Sequence, residues 1–391
     1  MVSKPPILAS AAVLLGVFYQ LILRDIIFVT FGLGRTYNHI EDFPYACRRL
    51  RHSLLESCED LVLDGEGRRL YAACSTINSR KEWTPNGNNF NISAREGKDH
   101  ISVLSIDSAS ALYDVQPLEI TGTYTSSSGG NDIDLLGLDL EVLSDSQLRF
   151  WIVNTRPPTD EAGNALDPAV VGANSTIEVF HLTRGSSKLE HAKTILSDAV
   201  LTPNNVAATS NGGSRAFDML LGGGSVAICP TPESCHTASK GTFTFPNGIV
   251  RDLDGLYYVS NVPRGTISVL QLRPESKTLV NIEGIYIGMP IDNLSIDANG
   301  DIFGAGFPKV LPLVKALSDP WNTAVPSTVF RIRKVAEGEG VRWEVTKVLE
   351  DIKGKYVSGA TTAVYDAQMG RFFFGGVMAP FVAVCERKQV L

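Results

Sequence analysis

From residue 40 onward, short apolar runs alternate with polar turns, and the turns repeat one form, an Asp-led stretch closing on Gly. Asp64-Gly65-Glu66-Gly67 leads into Leu70-Tyr71-Ala72-Ala73, and Asp252-Leu253-Asp254-Gly255 leads into Leu256-Tyr257-Tyr258-Val259. Asp297-Ala298-Asn299-Gly300 and Asp366-Ala367-Gln368-Met369-Gly370 open the runs at Ile302-Phe303 and Phe372-Phe373-Phe374 in the same way. Partner runs rich in β-branched residues lie between them, at Ile101–Ile106, Thr176–Leu182, Thr266–Leu270 and Ser327–Ile332. The turn residues supply positive φ and local hydrogen bonds, and the branched and aromatic residues suit a pleated surface. Where the recurrence is cleanest, from Gly255 to Gly300, its period is 45 residues. Four strands per period is the spacing of a propeller blade. The fold class predicted is all-β, a six-bladed β-propeller over residues 40–391. Helices are scarce, with one short candidate at Lys309–Leu317. Ser79–Lys98 and Pro157–Val171 read as long loops.

The N-terminal stretch has a different texture. Pro6 to Leu23 is almost wholly apolar, preceded by Lys4 and closed by Arg24-Asp25, with a second apolar stretch from Ile26 to Leu33. About 18 residues is the short end of a membrane span, and no small-residue cleavage site follows closely. Residues 1–35 therefore form a separate region, an N-terminal apolar helix acting as a retained signal anchor. That places the rest of the chain in the secretory pathway, membrane-anchored at the endoplasmic reticulum or cell surface, or secreted. The six cysteines agree with an oxidising compartment. Cys229 and Cys235 flank a proline-containing loop, Cys58 and Cys74 face one another in a hairpin centred near Glu66, and Cys47 and Cys385 remain to tie the two ends. Sequons at Asn91 and Asn174 are candidate glycosylation sites. Asn293 also heads a sequon, and it is set aside because its side chain is wanted for a metal.

Hydrophobic residues make up 44% and the net charge is −7, so a large core is expected and nucleic acid is not a partner. There is no Gly-x-Ser-x-Gly elbow, Walker loop or dinucleotide fingerprint; the Gly222–Ser225 run fits none of them. What stands out is a set of oxygen donors, Glu59-Asp60, Asn204-Asn205, Asn247 and Asp292-Asn293, each at or just before the start of a strand-like run. Brought to one axis they would suit a hard cation such as Ca²⁺, which takes six to eight oxygens from carboxylates, amides, carbonyls and water.

Taken in order, Cys47, Cys58-Glu59-Asp60-Leu61, Trp151-Ile152-Val153-Asn154, Ser175–Phe180, Asn204–Ala208, Phe245–Ile249, Ile291–Asp297 and Val384-Cys385-Glu386 resemble the serum paraoxonase/arylesterase family. These are six-bladed calcium-dependent propellers related to the gluconolactonases. The resemblance implies that Glu59, Asn204, Asn247, Asp292 and Asn293 bind a channel calcium. It implies that Asp60, the Leu138 carbonyl and Asn205 bind a second, structural calcium, more weakly because Asn205 stands where the family has an aspartate. It also implies a retained apolar N-terminal helix that meets membrane or lipoprotein, and a Cys47–Cys385 bridge. One departure concerns chemistry. The family's proton-transfer histidines fall on Leu136 and Thr155, and none of His39, His52, His100, His181, His191 or His236 replaces them. Glu59 and Asp292 are then the catalytic candidates, with Asp132, Asp134 and Asp139 nearby as substitute bases. The function expected is calcium-dependent hydrolysis of a small hydrophobic lactone or aryl ester. The alternative is a hydrolysis-deficient calcium propeller that binds or rearranges a hydrophobic molecule.

Overall fold

The computed structural model describes residues 5–388, except 128, 201, 209–223, 232–233 and 339. Lys4 and the Gly222-Gly223 pair named above lie outside the described residues. The alternating runs become antiparallel sheets set side by side as blades. Each of the four Asp-led turns joins the innermost strand of a sheet to the next one out, as in Asp60–Asp64 with Arg69–Cys74, and Thr362–Asp366 with Arg371–Gly375. The third and fourth strands complete the blades at Thr266–Arg273 with Thr278–Tyr286, and Ser327–Glu337 with Gly340–Asp351. The sheet starting at Leu135–Ser144 has a fifth strand, Glu119–Gly122, parallel to Lys188–Ile195.

The fold is an all-β propeller, but the described residues form five sheets of four or five strands rather than six. The remaining sector holds a two-stranded ribbon, Gly224–Ile228 paired with His236–Phe243. Its side chains share cores with both neighbours. Cys229 and Val206 pack with Leu136, Trp151 and Val153, and Val226, Ile228 and Phe243 pack with Ile249, Tyr257 and Val259. This stretch carries none of the Asp-led turns.

The ring closes by pairing the first strand with the last. Tyr45–Leu50 lies against Val382–Arg387, with Cys47 opposite Cys385. A disulfide joins them across a sequence separation of 338. Cys58–Cys74 and Cys229–Cys235 are also bridged, and no described cysteine is free.

Two further readings are corrected. The apolar N-terminal run does not form one long helix. An α-helix spans Pro5–Phe18, and the backbone then changes to π-type turns over Tyr19–Leu23 and Asp25–Thr30. No helix among the described residues is long and apolar enough to cross a membrane. The second half of the run instead docks on the propeller. Val29 is buried against Gly265, and the Arg35 guanidinium donates to the carbonyls of Pro308 (2.8 Å) and Gly288 (2.9 Å). Val13, Leu14 and Leu15 stay exposed. The stretch Ser79–Lys98 is not plain loop either. It carries the end of a helix, Ile77–Glu82, capped by the Thr76 hydroxyl, and a small ribbon pairing Trp83–Thr84 with Asn89–Phe90. The short helix expected at Lys309–Leu317 forms as Val310–Ala316.

Candidate functional site

Glu59-Asp60, Asn247 and Asp292-Asn293 sit at or just before the starts of innermost strands, whereas Asn204 and Asn205 lie in a stretch, 203–208, that pairs in no strand. Glu59 immediately precedes Asp60–Asp64, Asn247 lies in Pro246–Arg251, and Asp292 and Asn293 lie in Ile291–Ile296. Three inner strands are irregular at this point. Pairing slips between Pro246 and Ile249, between Ile291 and Leu294, and at Leu136-Gly137 opposite Val153. A bulge turns side chains that strict alternation would send into the sheet faces. Here it releases Asn247, Asp292 and Asn293 toward the axis. Glycine permits the close approach this needs. A Cβ on Gly248 would come within 2.4 Å of the Leu294 nitrogen, and one on Gly137 within 2.6 Å of the Asn204 carbonyl. Backbone bonds tie neighbouring sectors at this end, Asn293 N–H to the Thr361 carbonyl (2.9 Å) and Gly137 N–H to the Asn204 carbonyl (3.1 Å).

Hydrogen bonds account for only part of the donor set. The Asn293 amide donates to Glu59 Oε1 (2.8 Å) and accepts from Asn205 Nδ2 (3.0 Å). Four buried oxygens have no hydrogen-bond partner: Glu59 Oε2, Asn204 Oδ1, Asn247 Oδ1 and Asp292 Oδ1. Four unsatisfied acceptors from four separate stretches are costly to bury. Desolvation, then the nearby Asp292 charge, pushes the Glu59 carboxyl up to about 8. Desolvation and the Asp60 charge push Asp292 up to about 8 as well. Acceptors without donors, two of them carboxylates, form a set that one hard cation would satisfy. The residues implied for a channel calcium therefore fit it. Among the described residues no three or more His, Cys, Asp or Glu side chains form a metal-binding group, so the set depends on its amides.

The residues implied for a second calcium do not fit one. Asp60 Oδ1 accepts from its neighbour Leu61 N–H (2.9 Å), and Oδ2 accepts from Leu138 N–H (3.1 Å) and Asn205 Nδ2 (3.0 Å). Asn205 thus turns its N–H, not its oxygen, toward Asp60, while its Oδ1 takes the Val206 N–H. An aspartate could not do this, because an ionised carboxylate only accepts. The Leu138 contact likewise comes from its N–H rather than its carbonyl.

The positions of the missing histidines are filled by packing. Leu136 is buried among Trp151, Val153, Ile177 and Val179. Thr155 is buried, and its carbonyl accepts the Trp83 indole N–H (2.8 Å). The acids around them are engaged. Asp132 and Asp134 both take hydrogen bonds from Arg95. Burial pushes Asp134 up to about 7 against that pull, and Asp139 up to about 6 while the Ala208 and Leu140 N–H groups hold it down. Asn91 is exposed, and Asn174 is half-buried at a strand start. Asn293 is wholly buried, so no glycan can reach it.

Two residues at the site were not singled out from the sequence. Thr361 donates its hydroxyl to the Glu59 carbonyl (2.7 Å) and so fixes the backbone that carries the carboxylate. Arg80, on the helix Ile77–Glu82, is buried, donates to the Leu135 carbonyl (2.7 Å), and leaves Nε and Nη2 without hydrogen bonds. Its charge reaches Glu59 and opposes the upward shift there. Nothing in the polar texture of 79–98 marks Arg80 as buried.

The sequence model of the arylesterase family matches residues 223–380, about two fifths of the chain. The chain is 26% identical over 179 residues to serum paraoxonase/lactonase 3 of Oryctolagus cuniculus, covering 41% of this chain and 49% of that protein. It is 27% identical over 147 residues to serum paraoxonase/arylesterase 1 of Mus musculus, covering 34% and 41%. The matched segments thus span at most about half the length of these relatives. Among solved structures, a luciferin-regenerating enzyme superposes with a TM-score of 0.47 at 10% identity, covering 88% of this chain and 95% of that one. A glucose dehydrogenase superposes with a TM-score of 0.48 at 11% identity, covering 88% and 100%. The chain resembles the serum paraoxonase/arylesterase family.

Proposed function

We propose that this propeller is a calcium-dependent hydrolase of small hydrophobic lactones or aryl esters, acting at the axial end of the inner strands. The observation that carries the reading is the group of four unpartnered buried oxygens on Glu59, Asn204, Asn247 and Asp292. Together with Asn293 these residues would hold one calcium. Bound there, the ion supplies Lewis-acid polarisation of a carbonyl and stabilisation of a developing oxyanion. The chain supplies the remainder. Glu59, whose Oε1 accepts from Asn293, would ligate the ion through Oε2 and is the carboxylate assigned here to take a proton from attacking water. Asp292 is anchored through its backbone, whose carbonyl accepts from the Ser260 hydroxyl (2.8 Å), so its carboxylate faces the axis from a fixed frame. The names of the paraoxonase relatives, an arylesterase and a lactonase, support the substrate class. The three disulfides support an oxidising, secretory location. The exposed Val13, Leu14 and Leu15 support contact of the N-terminal helix with a membrane surface.

The test is hydrolysis of a δ-lactone and of phenyl acetate, with and without chelator, in the wild type and in Glu59→Gln. Activity that needs calcium and falls by at least a hundredfold in Glu59→Gln is the expected outcome. A second reading, a propeller that binds or rearranges its ligand without hydrolysis, is favoured by one observation, the packing of Leu136 and Thr155 where the family carries its histidine pair. Calcium binding with no turnover on either substrate would select it.

A further inference from the structure

A cavity of about 190 Å³ is lined by none of the oxygen donors. Its walls are the loop that carries the helix Val310–Ala316, the turn before Thr362–Asp366 and the turn before Val382–Arg387. Leu313, Val325 and Phe381 give it an apolar interior, and the Trp321 indole stands at its edge, more than half exposed. Two cations share this space. The Arg49 guanidinium lies 4.1 Å from the centroid of the Phe381 ring and the Arg51 guanidinium 5.2 Å from the same centroid.

Neither arginine forms an ion pair with a carboxylate among the described residues. Arg49 donates to two backbone carbonyls, Tyr356 (3.2 Å) and Gly354 (2.8 Å). Asp351, whose charge reaches Arg49, directs Oδ2 to the N–H groups of Tyr356 (2.7 Å) and Val357 (3.1 Å) instead. Two guanidinium groups held over one ring repel each other, and burial of Arg49 adds to the cost. An anion between them relieves both terms, and a guanidinium offers the paired N–H groups that a carboxylate accepts. The apolar interior and the indole would cover the body of such a ligand. The volume lies below the usual range for drug-sized ligands, so the ligand is small.

We propose that this cavity binds a small aromatic or aliphatic carboxylic acid, its carboxylate on Arg49 and Arg51 and its apolar body against Phe381 and Trp321. The inference does not rest on the proposed hydrolysis, since no donor of the axial set lines the cavity, and the two can fail separately. The test is calorimetric titration of the full chain with 1-naphthoate and with the neutral 1-naphthamide, followed in parallel by tryptophan fluorescence. The acid should bind at least tenfold more tightly than the amide. Arg51→Gln should erase that preference while leaving the circular dichroism spectrum that of the folded chain, because Arg51 is exposed and makes no hydrogen bond among the described residues. Arg51→Lys should keep part of it. Trp321→Phe should remove the ligand-dependent change in fluorescence, and excess EGTA should leave acid binding unchanged. Equal affinity for acid and amide, no binding of either, or undiminished acid binding in Arg51→Gln would overturn the proposal. So would loss of acid binding in EGTA, which would move the anion to the axial metal.

Discussion

At the scale of single residues, Glu59 and Asp292 are carboxyls that burial keeps protonated to about pH 8 in the metal-free chain. Unfolded, they titrate near 4. Between about pH 4 and 8 the folded chain therefore holds protons that the unfolded chain has released, and folding stability falls as pH rises through that window. Chelated protein should melt at a lower temperature at pH 8.5 than at pH 5.5, and calcium should narrow or reverse the difference. Calorimetry in EGTA and in calcium decides it; a flat profile in EGTA would mean that these carboxyls are not short of partners. Gly248 makes a prediction of a different kind. A methyl group there meets the Leu294 nitrogen at 2.4 Å, and backbone cannot yield as a flexible side chain would. Gly248→Ala should cost about 3 kcal/mol in urea denaturation, at the upper end for overpacking. Gly300→Ala is the contrasting control, since a Cβ there meets no atom and any loss comes from its positive φ alone.

At the scale of elements, closure depends on one outer strand. Tyr45–Leu50 is added to the last sheet from the opposite end of the chain, and the Cys47–Cys385 bridge fixes its register. A cross-link over so long a loop stabilises chiefly by restricting the unfolded chain, typically by about 2–5 kcal/mol. Cys47→Ser with Cys385→Ser should lower the melting temperature by several degrees while leaving the circular dichroism spectrum that of a folded β protein. Non-reducing peptide mapping of the wild type should recover the two cysteines in one linked fragment. The Cys229–Cys235 bridge, with a sequence separation of 6, closes a much shorter loop, and its removal should cost less.

For the whole molecule, the axial set predicts a single strong calcium. The oxygens on Glu59, Asn204, Asn247 and Asp292 are open, whereas Asp60, Leu138 and Asn205 satisfy one another. Elemental analysis of protein exchanged into trace calcium should return one ion per chain. Asn205→Asp should raise that to two, because it removes the N–H that now faces Asp60 and adds a charge that only a cation can balance. Saturating calcium should raise global stability by about 3 kcal/mol at a hundredfold excess over Kd. No change in melting temperature between EGTA and calcium would count against the axial site and against the hydrolase reading with it.

The sequence by itself determined what is local. Strand runs, Asp-led turns and the 45-residue recurrence depend on near neighbours, so they gave the all-β propeller and the turn at each inner hairpin. The three disulfides followed from hairpin geometry and elimination, and Glu59-Asp60, Asn247 and Asp292-Asn293 were visible because they recur at strand starts, whereas Asn204-Asn205 lies outside any strand. The tertiary structure decided what depends on distant groups. Among the described residues a two-stranded ribbon stands where a sixth full blade was expected, and it packs against both neighbouring sectors, which depends on residues far away in the chain. The bulges at Asn247 and at Asp292-Asn293 exist because neighbouring inner strands crowd at the axis, a constraint no single strand carries. Asn205 read as a weak oxygen ligand and proved to be a hydrogen-bond donor, since an amide offers both atoms and only its partners choose between them. Arg80 was hidden in a polar stretch because burial belongs to the assembled fold, where the Leu135 carbonyl of a distant strand accepts its guanidinium.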